Sequence, residues 1–329
     1  MAKAVITFGE AMLRLSPPAF HRLEQAHSFE VKVGGAELNT AVALVRLGRS
    51  ACWVSRLTNN PLGRLLEHQV RQAGVGTDYI LWTQEDRIGL YFVEFGAAPR
   101  ASSVVYDRKG SAIANIRPGM VPWEKIFREA SWFHVTGITP ALSLSAAETT
   151  HEAITAARQA NVPVSIDLNY RAKLWSAEEA YRWMHGFVQQ AQVLITTEED
   201  ANKVLRIEGT DYATVARRIA ETYPNLQVVA ITLRENPLVW RNSWTAIAYA
   251  GGKLYQTRTY EVEIVDRLGA GDAFAAGLIH GLLDGNVQKG LDWGVAISAL
   301  KHSIPGDFAW VTPTEVENLV RSPQLRISR

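Results

Sequence analysis

The segment Asp266-Arg267-Leu268-Gly269-Ala270-Gly271-Asp272 lies between two regular patterns, and its reading decides the fold. Val262 to Val265 before it has the composition of a strand, and Ala273-Phe274-Ala275-Ala276-Gly277-Leu278-Ile279 after it opens a small, apolar helix. In such a strand-turn-helix unit the glycines let the backbone come close to a ligand. The first N–H groups of the helix lack intrahelical acceptors and, with the helix dipole, form an anion site. Asp272 has two open readings. It caps the helix, the commoner role of Asp at a helix start, or it takes a proton from an attacking hydroxyl. Gly-Ala-Gly-Asp arises by chance in a chain of this length on the order of one time in a hundred, so the rest of the sequence has to decide.

Outward from this segment, strand-like and helix-like runs alternate. Val5 to Phe8 precedes a helix from Glu37 to Leu47, a strand from Cys52 to Ser55 and a helix across Leu62 to Ala73. Trp132 to Val135 precedes a helix around Ala146 to Gln159, the strand Val162 to Leu168, a helix from Ala177 to Gln190, and the strands Val193 to Thr196 and Val228 to Ile231. This is βαβ order and predicts an α/β fold with a mainly parallel central sheet flanked by helices. Near the end, facing strands Thr245 to Tyr249 and Leu254 to Thr259 join through Gly251-Gly252, and helices start near Gly271, Gln288 and Thr314. Met12 to Val33 and Ile88 to Tyr106 are extended and lack the helix of a parallel crossover. They predict a small antiparallel sheet outside the main one, with a pair of surface hairpins as the plainer alternative. No linker or repeat divides the chain, so one domain over residues 1–329 is expected.

Composition excludes several classes. Lys plus Arg number 34 against 33 Asp plus Glu, with no run of one sign that could track a nucleic acid backbone. The single Cys52 closes no intrachain disulfide and lies in apolar Ala51-Cys52-Trp53-Val54, where a small buried hydrophobe is the ordinary explanation. No apolar run approaches 18 residues and Glu10 interrupts the N-terminal stretch, so no membrane partner and a cytoplasmic location are expected. No Gly-x-Gly-x-x-Gly follows the first strand, no Gly-x-x-x-x-Gly-Lys-Ser/Thr loop occurs, and His151-Glu152 lacks the second His of a zinc-protease helix.

The Asp266 to Asp272 segment resembles the Asp-x-x-Gly-Ala-Gly-Asp signature of the ribokinase-like (phosphofructokinase B) carbohydrate kinases. Gly34-Gly35-Ala36-Glu37-Leu38-Asn39-Thr40-Ala41 is similar to that family's Gly-Gly-x-x-x-Asn motif, and Leu47-Gly48 to its helix end. Further similar segments are Gly9 to Leu13, Tyr106 to Ala112, Gly137 to Ser143, Asp167 to Arg171 and Ala299 to Phe308, so the resemblance covers nearly the whole chain. It implies a three-layer fold with a small β-sheet lid, made by segments near 12–33 and 88–110. It implies ATP and Mg²⁺ as cofactors, and leaves a monovalent cation open. Asp272 then matches the catalytic base, Gly269, Ala270 and Gly271 the anion hole, and Gly34, Gly35 and Asn39 the sugar contacts. Asp266 and Thr232 match nucleotide-side positions.

A sugar acid needs a guanidinium, which grips a carboxylate through two parallel hydrogen bonds. By type alone Arg108 and Arg171 are solvated surface charges. Arg171, however, follows the strand ending at Leu168, where open α/β sheets place ligands, and the resemblance matches Tyr106, Arg108 and Arg171 to substrate contacts. Tyr91 and Asp307 are further candidates of the same kind. Two departures stand out. Thr197-Glu198-Glu199-Asp200 replaces the family's Asn-x-x-Glu, leaving Asp200 as a water-mediated metal contact or simply a helix-start carboxylate. Arg234-Glu235-Asn236-Pro237 stands where a glycine often meets the nucleotide, and Arg267 where Thr is frequent. A neutral-sugar kinase and a non-catalytic sugar-binding regulator are the alternatives. The small sheet is the expected place for two copies to pair.

Overall fold

The computed structural model describes residues 3–238 and 241–321, apart from the side chains of residues 234–238, 241 and 242. In chain order the strands are β1 (Ala4–Phe8), β2 (Met12–Ser16), β3 (Glu30–Gly34), β4 (Ala51–Thr58), β5 (Ile80–Thr83), β6 (Leu90–Glu94) and β7 (Ser103–Asp107). Then follow β8 (Ala130–Thr136), β9 (Val164–Asp167), β10 (Val193–Thr196), β11 (Val228–Leu238), β12 (Arg241–Ala250), β13 (Lys253–Gln256) and β14 (Tyr260–Glu263). The helices are α1 (Ala36–Arg46), α2 (Pro61–Gln72), α3 (Trp123–Arg128), α4 (Leu144–Gln159), α5 (Ala177–Val188), α6 (Glu198–Leu205), α7 (Tyr212–Thr222), α8 (Ala270–Leu283), α9 (Val287–His302) and α10 (Pro313–Arg321).

The large sheet runs β13-β12-β11-β10-β9-β8-β1-β4-β5, with β14 also on β12. All pairs from β5 through to β11 are parallel, and β12 reverses the direction. Strands buried on both faces must be apolar at successive positions. Val5 accordingly packs in one core cluster with α1, α8 and α9, while Ile6 and Phe8 pack on the other side with α3 to α7. Helices therefore cover both faces and make the three layers. The chain begins in the middle at β1, builds outward to β4 and β5, then resumes at β8 on the other flank. That reversal opens a crevice at the C-terminal ends of the strands.

The second sheet runs β3-β2-β6-β7. It is not antiparallel throughout: β2 pairs with β6 in parallel, Leu13 opposite Leu90 and Leu15 opposite Phe92. The missing crossover is supplied by the main fold, because α1, β4, α2 and β5 lie between the two strands in sequence. β11 continues past Ile231 to Leu238, so Arg234 to Pro237 belong to a strand, although their side chains lie outside the described residues. Cys52 is buried, and burial pushes its thiol up to about 11, in keeping with an inert small hydrophobe. No helix among the described residues is long and apolar enough to cross a membrane.

Candidate active site

Helix α8 starts at Ala270 with Gly269 as its N-cap, in the left-handed region at φ 84°. Gly269 also passes directly beneath the Asp307 carbonyl, where a Cβ would collide. Its positive φ and this approach both call for glycine. Asp272 is thus the third residue of the helix and makes no cap, which corrects the capping reading: its side chain turns toward α1. There its Oδ2 accepts from Asn39 Nδ2 at 2.7 Å, while Asn39 Oδ1 accepts from the Gly35 N–H at 3.3 Å. Burial raises Asp272 from 3.8 to about 6, against the Asn39 hydrogen bond and the charge of Arg171. A Cβ on Gly35 would overlap the Glu10 carbonyl, so the glycine pair lets α1 start against the end of β1. Above Gly271 the space is open, and this face of the turn lines a cleft of about 720 Å³ with Asp167, Arg171, Thr197, Asp200, Lys203, Thr232, Arg267 and Asp272.

Two carboxylates that sequence reasoning passed over stand nearby. Asp167 ends β9 and accepts from the Asn169 N–H at 3.2 Å, a tight turn that presents Tyr170 and Arg171. Burial, with the charges of Asp272 and Asp200, raises Asp167 to about 8. Glu37 is fully buried under the site, and its Oε1 accepts from Thr136 N, Thr136 Oγ1 and Thr139 Oγ1 at 3.0, 2.8 and 2.7 Å. Burial raises it to about 7. It joins α1 to the loop after β8.

The larger omission is Arg14. From β2 its guanidinium forks to Asp266 Oδ2 and Asp307 Oδ1, both at 2.7 Å, with all three side chains buried. Burial works to depress its pKa, but Asp307 and Asp266 hold it above the ordinary value. Asp266 also accepts from the N–H groups of Leu268 at 3.1 Å and Gly306 at 2.9 Å, fixing the turn before α8. The Tyr91 hydroxyl donates to Asp307 Oδ2 at 2.7 Å, and a Cβ on Gly34 would strike both. Tyr91 and Asp307 are therefore engaged with each other. The available signal was a lone arginine within the apolar run Met12-Leu13-Arg14-Leu15.

Arg108 reaches from the end of β7 to Glu10, donating from Nε to Oε2 at 2.7 Å, and Ser111 Oγ donates to the other oxygen. Its guanidinium also lies 5.4 Å from the centre of the exposed Tyr106 ring, which stacks on Tyr91. Arg171 is exposed and forms no ion pair among the described residues; its NH1 donates to the Tyr170 carbonyl at 3.2 Å. Tyr106, Arg108 and Arg171 line a second cleft of about 1020 Å³, which shares Tyr170, Arg171 and Ala172 with the first. Thr197 caps α6 by accepting from the Asp200 N–H at 3.1 Å, and Asp200 Oδ2 accepts from the Tyr170 N–H at 3.3 Å. Among the described residues no cluster of three His, Cys, Asp or Glu side chains is arranged to hold a metal ion by itself. The donor set suits a triphosphate instead: the amides of Gly269 and Gly271 are open at the helix start, while that of Ala270 donates to the Arg267 carbonyl at 3.3 Å, and Lys203, Arg267 and the Asp200 carboxylate line the same cleft. His151 is exposed, while Glu152 accepts from Gly119 N and Trp123 Nε1.

A glycine turn opening a helix at the strand ends, a buried carboxylate and paired clefts define a class of phosphotransferases. Comparison with known proteins gives the family. Residues 2–307 match the model of the pfkB family carbohydrate kinases, and the chain belongs to that family. It is a sugar kinase. It is 39% identical over 330 residues to a 2-dehydro-3-deoxygalactonokinase of Haloferax volcanii, covering 100% of both chains. It is also similar to the crystal structure of a 2-dehydro-3-deoxygluconokinase from Thermotoga maritima, with TM-score 0.95, 44% identity and coverage of 98% and 99%. A Xylella fastidiosa fructokinase solved with bound ATP is more distant, at TM-score 0.80 and 25% identity over 98% and 99% of the chains.

Proposed function

We propose that the chain transfers the γ-phosphoryl group of ATP to the 6-hydroxyl of 2-keto-3-deoxygluconate (2-dehydro-3-deoxy-D-gluconate). The observation that carries this reading is Asp272, a buried carboxylate raised to about 6, one turn into a helix whose glycine start faces the cleft. Asp272 accepts the hydroxyl proton as the oxygen bonds to phosphorus and the bond to ADP breaks, the electron pair leaving with ADP. The amides of Gly269, Ala270 and Gly271 hold the charge that spreads over the phosphoryl oxygens. Asp200, beside Thr197, would hold Mg²⁺, which would supply further charge neutralisation. Thr232 and Arg267 flank the nucleotide side; Asp266, expected there from the sequence, is instead buried against Arg14 and acts by fixing the turn.

Arg171, which forms no ion pair among the described residues and stands on the wall shared by both clefts, grips the substrate carboxylate. Arg108 and Tyr106 close on it from the small sheet, which serves as a lid, and Arg108 already binds a carboxylate in Glu10. Gly34, Gly35 and Asn39 bring the chain close to the sugar, and Tyr91 and Asp307 act by holding Gly34 in place. The test is ADP release with 2-keto-3-deoxygluconate, its galactonate-derived epimer, fructose and ribose, beside Asp272→Asn. The acids are expected to turn over far faster than the neutral sugars. Equal turnover of fructose would sink the sugar-acid reading, and an Asp272→Asn enzyme at wild-type rate would remove the base.

A further inference from the structure

Lys301 has no part in that mechanism, yet it is the one buried lysine among the described residues. It projects from α9, and its Nζ donates to two main-chain carbonyls, that of Asp266 at 3.1 Å and that of Ile304 at 2.9 Å. It forms no ion pair among the described residues. One carbonyl opens the Asp266 to Asp272 turn. The other stands at the head of the loop through Gly306 and Asp307, on whose carbonyl Gly269 packs. Two loops that shape the glycine turn thus meet at one ammonium.

Burying an ammonium is costly, and an apolar side chain on the inner face of α9 would avoid that cost. Burial does pull Lys301 down, to about 8, partly offset by Asp266 and Asp307, while Arg14 adds to the depression. What the charge supplies is attraction for carbonyl dipoles that would otherwise repel each other. Main-chain carbonyls converging on one positive centre are also the coordination chosen by a dehydrated monovalent cation. Here that centre is covalently tethered.

We propose that Lys301 is a positioning residue that serves as a built-in monovalent cation, bracing the Asp266 to Gly271 turn against the 303–307 loop. Turnover then needs no dissolved potassium or sodium. The inference rests on the kinase reading of the same site.

In the full-length chain, wild-type turnover is expected to agree within about twofold in potassium, sodium and tetramethylammonium chloride. Lys301→Ala should lose on the order of 10²-fold in kcat, the scale of a small displacement at a reacting centre, with KM for the sugar acid little changed. Propylammonium, which replaces the atoms removed, should restore part of the rate, whereas 1-propanol should not. Strong stimulation of the wild type by potassium overturns the proposal, as does equal rescue by 1-propanol, which would mean cavity filling alone. Should Lys301→Ala fail to fold, Lys301→Met keeps the length without the charge, and wild-type kcat in that variant overturns the proposal too. Amide exchange over residues 266–272 reads the bracing without turnover. It should quicken in Lys301→Met, and unchanged exchange counts against the idea. A wild type that phosphorylates nothing removes the kinase reading; an active wild type with indifferent Lys301 variants removes this inference alone.

Discussion

Replacing Asp272 by Asn separates what this carboxylate does for the reaction from what it does to the fold. Burial moves it from 3.8 to about 6. A shift of about two units, at about 1.4 kcal/mol each, means that the ionised side chain costs the folded state about 3 kcal/mol at neutral pH. Because the folded chain binds this proton more tightly than the unfolded one, the penalty is absent below the unfolded value. It grows as pH rises from about 4 to 6 and is constant above. Asn has the same shape, carries no charge, and can still accept from Asn39 Nδ2 through its amide oxygen. Asp272→Asn is therefore expected to be more stable than the wild type by about 1 to 3 kcal/mol at neutral pH, with the difference closing toward pH about 4. Turnover should fall about 10²- to 10⁴-fold, the usual contribution of a general base. Urea unfolding of both proteins across this pH range measures the first effect, and ADP release the second. A variant less stable than the wild type at neutral pH, or a difference independent of pH, would refute the reasoning.

Arg14→Met should cost about 3 to 5 kcal/mol in urea unfolding, since Asp266 and Asp307 are left buried without their counter-charge; a loss under about 1 kcal/mol would show that they relax to solvent. Arg171→Ala should raise KM for sugar acids at least about tenfold, one charge-assisted pair, and leave any fructose turnover unchanged; an unaltered preference removes Arg171 from the site. Val31, Leu15, Phe92 and Val105 lie in one register across the small sheet, with Val31 and Val105 40% and 52% exposed. If two copies pair there, Val105→Asp should shift the wild-type dimer to monomer in size-exclusion chromatography, and an unmoved elution volume would refute the pairing.

The centre of the main sheet was legible because β1, β8, β9 and β10 are short, buried on both faces and therefore plainly apolar. Val193 to Thr196 was read to the residue. Weaker elements escaped: β5 has two half-exposed residues among four, and α7 is a polar-faced helix, while of α6 only the start at Asp200 was read, as an alternative. The parallel pairing of β2 with β6 had no local signal, since β3, α1, β4, α2 and β5 all lie between the two strands. The site was legible where one residue type has few uses. Gly269, Gly34 and Gly35 announced close backbone approach, and Asp272 a carboxylate at a helix start. Arg14, Glu10, Glu37 and Lys301 were not legible as site residues, because a charged residue in a sequence reads as solvated until the fold supplies its partner, and these partners lie far along the chain.

Those partners bear on how the small sheet can move. Arg14 on β2 and Tyr91 on β6 occupy adjacent central strands, and both converge on Asp307, with Arg14 also holding Asp266. The middle of the small sheet is therefore fastened to the turn that carries Gly269 and to the loop that Lys301 braces. Edge strand β7, by contrast, is held to the body at its end by Arg108 on Glu10 and by the exposed pair of Arg87 with Asp107. The first contact is a carboxylate that a substrate carboxylate could replace, and the second is an exposed ion pair of small worth. If the small sheet closes as a lid, as proposed above, a closure that keeps the Arg14 fork intact pivots about β2 and β6 and carries Tyr106 and Arg108 with it. The segment from Asp266 to Asp272 thus acquires its meaning from both ends: α1 orients its carboxylate through Asn39, and the small sheet fixes its first residue through Arg14.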